Sequence, residues 1–396
     1  MFQLSDLLYD IGKWMGIAGF ILLTLLIFSG DTARFWDRYI GLDKIIKFQK
    51  KFSYFVAFFV ILHPLLFIIA RKTVFGFLIP NFSYVPLALG IISLYIFIVV
   101  MIASYFYKRI SNLVWQYIHV LTYILFFFSI YHAFNWGSDR DDFILIYVVS
   151  LIMILIGIIY RTQYKIRNKI SNAFTVDSIK QETSDTYTLN LKSKKPFDFK
   201  AGQFCFLRIN KNRLYARHPF TVSSAPNDNV TSFTIKHAGR FTETARTLKT
   251  GEKISVEGPF GVFIPKPDKD LVFIAGGVGI TPFMSILKDR INNNSNQNIT
   301  LIYCSRGKDD IIFKNEIDSI NKSWFKKIYV LNSTDGALFP CEQGYISNKI
   351  IEKYVNNIQN SLYYICGPEK MKNSAKKILG DLKVDKSSIF TEDFFW

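Results

Sequence analysis

The stretch Leu113–Gly137, LVWQYIHVLTYILFFFSIYHAFNWG, decides how the chain is read. Its length is about what a helix needs to cross a bilayer, and it carries His119 and His132, two of the five histidines. An ionisable side chain inside such a helix is costly and faces a partner or a cofactor. The two histidines are thirteen residues apart, which at ~1.5 Å per residue separates the imidazoles by roughly 20 Å along the axis. That separation suits two haems stacked across a membrane, one per leaflet. Thirteen residues is about 3.6 turns, so a straight helix does not put both rings on one face and local distortion is expected. Two histidines that only hydrogen-bond to neighbouring helices would leave the same pattern.

A second apolar span, Lys51–Arg71, holds His63 in the run ILHPLLF. Pro64 removes one backbone donor there and is expected to kink the helix without ending it. Fourteen residues before His63, nearly on the same face, stands Gln49. Three histidines and one glutamine thus occupy positions for two axial ligand pairs, and only one full histidine pair is available. Imidazole on both sides of an iron gives a six-coordinate, electron-transferring haem.

Composition bounds the rest. With 396 residues, 50% apolar content and 38 phenylalanines, the chain exceeds one domain and is too apolar for an ordinary soluble protein. A formal net charge of +17 would suit a nucleic-acid partner. The charge clusters, however, at the ends of apolar spans and across the second half, so membrane orientation accounts for the first part and no nucleic acid is expected. Cys205, Cys304, Cys341 and Cys366 all lie in the polar half with no CxxC pairing. That argues against a disulfide framework or a zinc site and fits reduced thiols. The first apolar span is as long as a membrane helix and has no basic leader, so no cleavable signal peptide is expected.

Taken in order, residues 1–12 read as an amphipathic lead-in, followed by apolar spans at about 13–30, 52–71, 85–107, 114–136 and 143–161. Basic residues concentrate between spans one and two, between three and four, and after the fifth. The positive-inside rule then puts the N-terminus outside and everything after about 162 in the cytoplasm, in a multi-pass protein of the plasma membrane. His119 lies toward the cytoplasm on this reading. His63 and His132 lie within a few turns of the outer ends of their spans.

The polar half opens with strand-like alternation in FTVDSIKQ, TYTLNLKS and QFCFLRI, which predicts an antiparallel barrel. Arg217-His218-Pro219-Phe220-Thr221-Val222-Ser223-Ser224 follows, with an arginine able to neutralise a diphosphate and two hydroxyls on one strand face. Gly239-Arg240-Phe241-Thr242 then opens a helix over Thr242–Leu248 whose first amides can bind phosphate. Either piece alone is equally a strand or a capped helix with no ligand. About 20 residues apart in one barrel, they favour a flavin nucleotide. After Pro265–Lys269 strands alternate with helices, as in an open parallel sheet. LVFIA leads into Gly276-Gly277-Val278-Gly279-Ile280-Thr281-Pro282, where small residues let amides approach a pyrophosphate, although glycines at such a turn also serve packing. Ser305-Arg306 and Cys366-Gly367-Pro368 end later strands, and Trp396 closes the chain with a ring that can stack on a flavin.

With these motifs in hand, the chain resembles the ferric reductase and NADPH oxidase family over nearly its whole length. The ordered set HPFTVSS, GRFT, GGVGITP, CGP and a terminal aromatic carries the resemblance. It implies a multi-domain fold: a helical transmembrane haem bundle over 1–170, an antiparallel β-barrel for FAD over 171–267, and an α/β Rossmann-like NADPH domain over 268–396. It implies haem b at His63 with His132 on the outer side. The inner site pairs His119 with Gln49, where the family normally has histidine, so an inner haem is five-coordinate, weakly held or absent. Six helices are usual in the family and five are counted here. Arg217 is expected at the FAD pyrophosphate, Thr221 and Ser223 near the isoalloxazine, and Gly239 and Thr242 at the phosphates. His218, Pro219, Phe220, Ser224 and Lys236 complete the flavin set. Gly276, Gly277, Gly279 and Thr281 are expected at the NADPH pyrophosphate, and Ser305 and Arg306 at a 2′-phosphate. Cys366, Gly367 and Pro368 belong to the nicotinamide end, with Trp396 as the aromatic lid; Thr221, Cys366 and Trp396 are the residues expected at the hydride step. The implied activity moves electrons from cytosolic NADPH through FAD and haem to an acceptor outside. Dioxygen giving superoxide is the first choice and a ferric chelate or a quinone the alternative. A non-catalytic haem-binding membrane protein is the remote one. No obligatory protein partner is implied.

Overall fold

Helices α1 (Leu4–Asp31), α2 (Ala33–Ile40), α3 (Leu42–Arg71), α4 (Phe75–Leu78), α5 (Val85–Tyr105), α6 (Asn112–Trp136) and α7 (Arg140–Ser171) precede the first strand. The computed structural model describes residues 4–107, 109–110, 112–136, 140–171, 173–194, 196–209 and 217–392. Five of its helices are long and apolar enough to cross a membrane, matching the expected spans in number. They overrun the expected bounds at their polar ends. The lead-in is the first two turns of α1, and α3 starts at Leu42, so Lys44, Lys47, Lys50 and Lys51 lie in its opening turns. Long basic side chains let a helix continue past the hydrocarbon by reaching toward the headgroups. Pro64 sits inside α3 without ending it. Helix α2 falls between the expected spans; its exposed Phe35, Trp36 and Tyr39 beside Arg34 and Arg38 form the pattern of an interfacial helix.

The chain divides into two compact units, residues 1–36 with 44–167 and residues 37–43 with 168–396. In the first, Gly12, Gly16 and Gly19 line one face of α1. A Cβ at each would meet Phe67 and Leu66, His63, and Val60 and Phe59 of α3, the nearest atom at 3.3 Å or less each time. Without side chains at these three positions the two helices approach closely, which is how membrane helices gain packing contacts when no hydrophobic effect drives them together. Phe20, Leu23, Ile27, Val56, Phe97, Leu125, Phe126 and Ile154 form the interior of this unit, with Phe20 stacked on Phe126 at 5.5 Å.

The second unit holds two sheets. Strands β1 (Ala173–Thr183), β2 (Thr186–Ser193), β3 (Phe204–Arg208), β4 (His218–Thr221), β5 (Thr231–Lys236) and β6 (Lys253–Phe260) pair antiparallel in the order β4-β3-β6-β1-β2-β5. A bridge from Val222 to Phe233 joins the two edge strands and closes the sheet as the expected barrel. Its interior is Phe174, Val176, Leu189, Leu191, Leu207, Phe233 and Ile235, inward residues two apart along their strands. The short helix α8 (Arg240–Arg246) follows β5. Residues 37–43 group with this unit, the Asp37 carboxylate accepting the Gly261 amide at 3.0 Å and the Leu42 amide at 2.6 Å.

Strands β7 (Leu271–Gly276), β8 (Ile299–Ser305), β9 (Phe325–Leu331), β10 (Cys341–Gln343), β11 (Leu362–Cys366) and β12 (Ile389–Thr391) form a wholly parallel sheet in the order β10-β9-β8-β7-β11-β12. Helices α9 (Thr281–Asn292), α10 (Lys314–Ser319), α11 (Asn348–Tyr354) and α12 (Glu369–Asp381) connect the strands. The chain adds β8, β9 and β10 to one side of β7, then returns to add β11 and β12 on the other. The strand order therefore reverses between β7 and β11. Ligands of such sheets bind outside the carboxyl ends of the strands at that point.

Candidate functional site

In the membrane unit, α3 and α6 bring His63 and His132 together, with ring centres 6.3 Å apart and planes inclined at 76°. Nδ1 of His63 lies 2.8 Å from the Gly12 carbonyl and Nδ1 of His132 lies 2.9 Å from the Pro86 carbonyl. A carbonyl can only accept, so each Nδ1 carries the proton and each Nε2 keeps its lone pair, the tautomer a metal-ligating imidazole needs. With imidazole nitrogen about 2 Å from a metal, two rings facing each other across one iron have centres roughly 6 to 6.5 Å apart, and the observed spacing falls there. Among the described residues no three His, Cys, Asp or Glu side chains group as a metal site. Two histidines alone suit an iron whose other four ligands come with it, as in a porphyrin.

Two glycines seat these rings. A Cβ at Gly16 would lie 2.5 Å from Nδ1 of His63, and one at Gly90 would lie 2.6 Å from Nδ1 of His132. Gly90→Ala should therefore push the imidazole off the Pro86 carbonyl and weaken haem binding about 10- to 100-fold, the usual cost of disturbing a ligand's hydrogen-bonded support. Titrating haem into the apo-protein and following the Soret band measures this. Parental affinity in that variant would show that the ring is seated by something else.

The second expected pair is not joined by any contact the structure records. The His119 ring stacks on Trp115 at 4.7 Å, and the Gln49 amide donates to the Ser29 hydroxyl at 3.2 Å. One turn along α6 from His119, Tyr123 donates to the buried Asp31 carboxylate at 2.6 Å, and Arg161 donates to Asp31 at 3.1 Å and to the Tyr123 hydroxyl at 2.9 Å. This cluster ties α1, α6 and α7, and residue order hides it because its members lie 38 to 130 residues apart.

In the second unit, β4 carries His218-Pro219-Phe220-Thr221 along the closing edge of the barrel. The rings of His218 and Phe220 pack on Phe241 of α8 at 4.3 and 5.7 Å, and burial holds the His218 imidazole below the usual histidine range. Gly239 caps α8 at a φ of +138°, and a Cβ there would meet nothing. That open approach to a helix start is what a phosphate uses. The helix begins two residues earlier than expected because Thr242 folds back, its hydroxyl accepting the Ala238 amide and donating to the Gly239 carbonyl. Nη1 of Arg217 donates to both carboxylate oxygens of Glu257 at 2.9 Å, and the guanidinium lies over the Phe206 ring. The hydroxyls of Thr221 and Ser223 have different partners, Thr221 reaching Glu392. Ser223 is wholly buried and bonds to the Ser232 carbonyl and the Thr234 hydroxyl, and Ser224 accepts the Ser232 amide.

At the reversal point of the parallel sheet, the glycine turn after β7 meets the CGP turn after β11. A Cβ at Gly276 would lie 2.5 Å from the Met371 sulfur, and one at Gly279 would lie 2.3 Å from the Cys366 carbonyl oxygen. These two glycines serve packing. Thr281 donates to the Val278 carbonyl and is buried. Gly277, at φ +54° with nothing within reach of a Cβ, is the one that opens to a ligand. The carboxyl ends of β7 and β11 lie side by side, Cys366 paired with Ala275. Glu392, just after β12, reaches Thr221 at 3.5 Å and the Cys366 sulfur at 4.0 Å. Thr221, Cys366 and Glu392 thus converge from the barrel and the sheet, and a bond from Ser285 to the Ser224 carbonyl at 2.7 Å holds the two together. Nothing in the sequence singles out Glu392, which stands 171 residues from Thr221. Trp396 lies outside the described residues. Lys236 is ion-paired to Asp185 and Arg306 to Asp310 and Asp185.

Membrane helices, a flavin barrel and a parallel nucleotide sheet define a membrane oxidoreductase that uses flavin and a nicotinamide coenzyme. Three family models match in series: a ferric reductase like transmembrane component over residues 15–130, an FAD-binding domain over 170–263 and an oxidoreductase NAD-binding domain over 273–377. The three matches in this order fit the resemblance to the ferric reductase and NADPH oxidase family. The chain is 28% identical over 225 residues to the glycine betaine monooxygenase reductase subunit of Pseudomonas aeruginosa, covering 54% of this chain and 62% of that protein. It is 32% identical over 157 residues to one component of the Na(+)-translocating NADH-quinone reductase of Methylococcus capsulatus, covering 37% of this chain and 38% of that one. The chain thus spans less than two thirds of these curated relatives. Among solved structures, the FAD/NAD-binding domain of a nitric oxide dioxygenase from Vibrio cholerae matches with a TM-score of 0.51 at 20% identity, over 56% of this chain and 98% of that one. The cytochrome b5 reductase domain of Ulva prolifera nitrate reductase matches with a TM-score of 0.51 at 19% identity, over 57% and 98%. These two likenesses establish the fold of the second unit.

Proposed function

We propose that this protein carries electrons from a nicotinamide coenzyme on the inner side of the plasma membrane to a small one-electron acceptor outside, dioxygen becoming superoxide. The observation that carries this reading is the His63–His132 pair, with both Nδ1 protons held by backbone carbonyls and the ring centres 6.3 Å apart. Bound flavin takes a hydride's two electrons and gives them up singly, and a haem accepts one at a time. The chain's own residues bind and orient. Gly277 and Gly239 leave backbone open for phosphates, and Thr221, Cys366 and Glu392 gather where the coenzyme and flavin would meet. Glu392 is the group there able to hold or release a proton. His63 and His132 would hold a haem from both sides, and the group would supply one-electron transfer without offering the acceptor a place on the iron. With Gln49 bonded to Ser29, His119 is the one imidazole on the inner side that would hold a second haem. The basic residues flanking the spans support the inside placement of the second unit.

A second reading, with an anionic ferric chelate as acceptor, draws on one observation. The His63 ring touches Phe67 at 4.8 Å, Phe67 touches Tyr9 at 4.9 Å, and the exposed Arg71 lies over Tyr9 at 4.6 Å. Purified protein supplied with FAD and haem separates the readings. Coenzyme-driven cytochrome c reduction that superoxide dismutase abolishes is the expected result. Dismutase-insensitive reduction of ferric citrate, with no superoxide, would overturn the dioxygen reading in favour of the second.

A further inference from the structure

The carboxyl end of β8 is where the adenosine ribose of a nicotinamide coenzyme lies in a sheet of this order. An arginine there suits the 2′-phosphate of NADPH, and a carboxylate suits the ribose hydroxyls of NADH. This chain has both, and they are engaged with each other. Arg306 donates to Asp310 at 2.6 Å and to Asp185 at 3.4 Å. Asp310 stands four residues along the chain, in the single helical turn Lys308–Asp310. Asp185 comes from the β1–β2 turn of the barrel, 121 residues away. There it is fixed by the hydroxyls of Thr183 and Thr186 at 3.2 and 2.9 Å and by the Lys236 ammonium at 3.1 Å.

The balance of charge decides what this corner accepts. Arg306 and Lys236 pair with Asp185 and Asp310, so the charges at this corner balance although the chain as a whole carries +17. A 2′-phosphate brings close to two negative charges, and here it would enter beside two carboxylates that already hold the guanidinium. A 2′,3′-diol brings hydrogen-bond donors, and the Asp310 and Asp185 oxygens are acceptors whose positions Arg306 has already set. Arg306 is 64% exposed on its side chain, so the ion pairs themselves are weak. What discriminates is the repulsion left when a phosphate approaches the two carboxylates.

We propose that Asp310 and Asp185 are the specificity-determining residues of the coenzyme site, and that they make this protein an NADH-preferring enzyme by holding Arg306 between them. The proposal rests on the reading that the parallel sheet binds a nicotinamide coenzyme.

The test is the ratio of kcat/KM for NADH to that for NADPH. It is measured on the purified full chain loaded with FAD, with ferricyanide as a soluble acceptor. The parent should favour NADH about tenfold or more. Asp310→Asn should lower the ratio about tenfold, mainly by improving NADPH. Asp185→Asn should act in the same direction, and Asp310→Glu should restore the parental preference. A parent that prefers NADPH overturns the proposal, as does an Asp310→Asn variant that changes both coenzymes alike. Oxidation of neither coenzyme would instead bring down the underlying reading, and the inference with it. Flavin content reports folding in each variant, and asparagine is close to isosteric with the half-buried Asp310.

Discussion

His63→Ala should abolish the low-spin Soret and α-band signature of the purified protein and, with it, all electron delivery across the membrane. The reason lies in the count of ligands. Among the described residues only His63 and His132 face each other at a spacing that suits one iron, and each is held in the ligating tautomer by a carbonyl. Removing one imidazole leaves its partner with a single bond to the metal, and an iron with one protein ligand is high-spin and open to exogenous ligands. His132→Ala should give the same spectrum. His119→Ala should not, because its ring is stacked on Trp115 and no recorded contact brings it to His63. Size-exclusion behaviour and helical circular dichroism establish that each variant is folded. A His63→Ala protein with an unchanged Soret band would mean that the outer pair is wrong. Loss of the signature in His63→Ala and His119→Ala, but not in His132→Ala, would make His63 and His119 the pair.

Much of this architecture is legible in residue order, for reasons that differ by region. Membrane helices declare themselves by length and hydropathy, and the glycine turn by its place between a buried strand and a helix. Partners are hidden wherever they come from distant stretches. Gly16 and Gly90 are ordinary small residues in apolar spans until α3 and α6 set imidazoles against them. Glu257 and Glu392 are two acids among 31 until β6 brings one to Arg217 and the end of β12 brings the other to Thr221. Period-two alternation does not show what Ser223 meets. Val222 packs in the barrel interior while Ser223 bonds to the Ser232 carbonyl and the Thr234 hydroxyl, partners that residue order does not reveal. Arg306 shows a further limit. A cation at the end of β8 suggests a 2′-phosphate, and only the fold shows that a hairpin turn 121 residues earlier delivers a carboxylate to it.

Gly279→Ala should cut coenzyme oxidation by at least tenfold by moving protein backbone, whereas Gly277→Ala displaces no protein atom and acts through its own backbone strain and any coenzyme bound there. Both glycines belong to the same turn, and residue order alone points both at a pyrophosphate. At Gly279 the added carbon would lie 2.3 Å from the Cys366 oxygen, 2.5 Å from its carbonyl carbon and 2.7 Å from the Gly367 nitrogen. All three are backbone atoms, so no rotamer change relieves the clash. Overpacking of this kind costs about 1–3 kcal/mol and is relieved by backbone shifts. The segment that must move is the end of β11, which carries Cys366 to Glu392 and Thr221. At Gly277 a Cβ meets nothing, and the cost is the left-handed backbone, roughly 1–2 kcal/mol. Ferricyanide reduction by each coenzyme, read beside an unchanged haem spectrum, ranks the two variants. A Gly277→Ala protein impaired more than Gly279→Ala would mean that a bound coenzyme fills the open space at Gly277 more tightly than Cys366 packs against Gly279. In that case the carbon that meets no protein atom would meet the pyrophosphate.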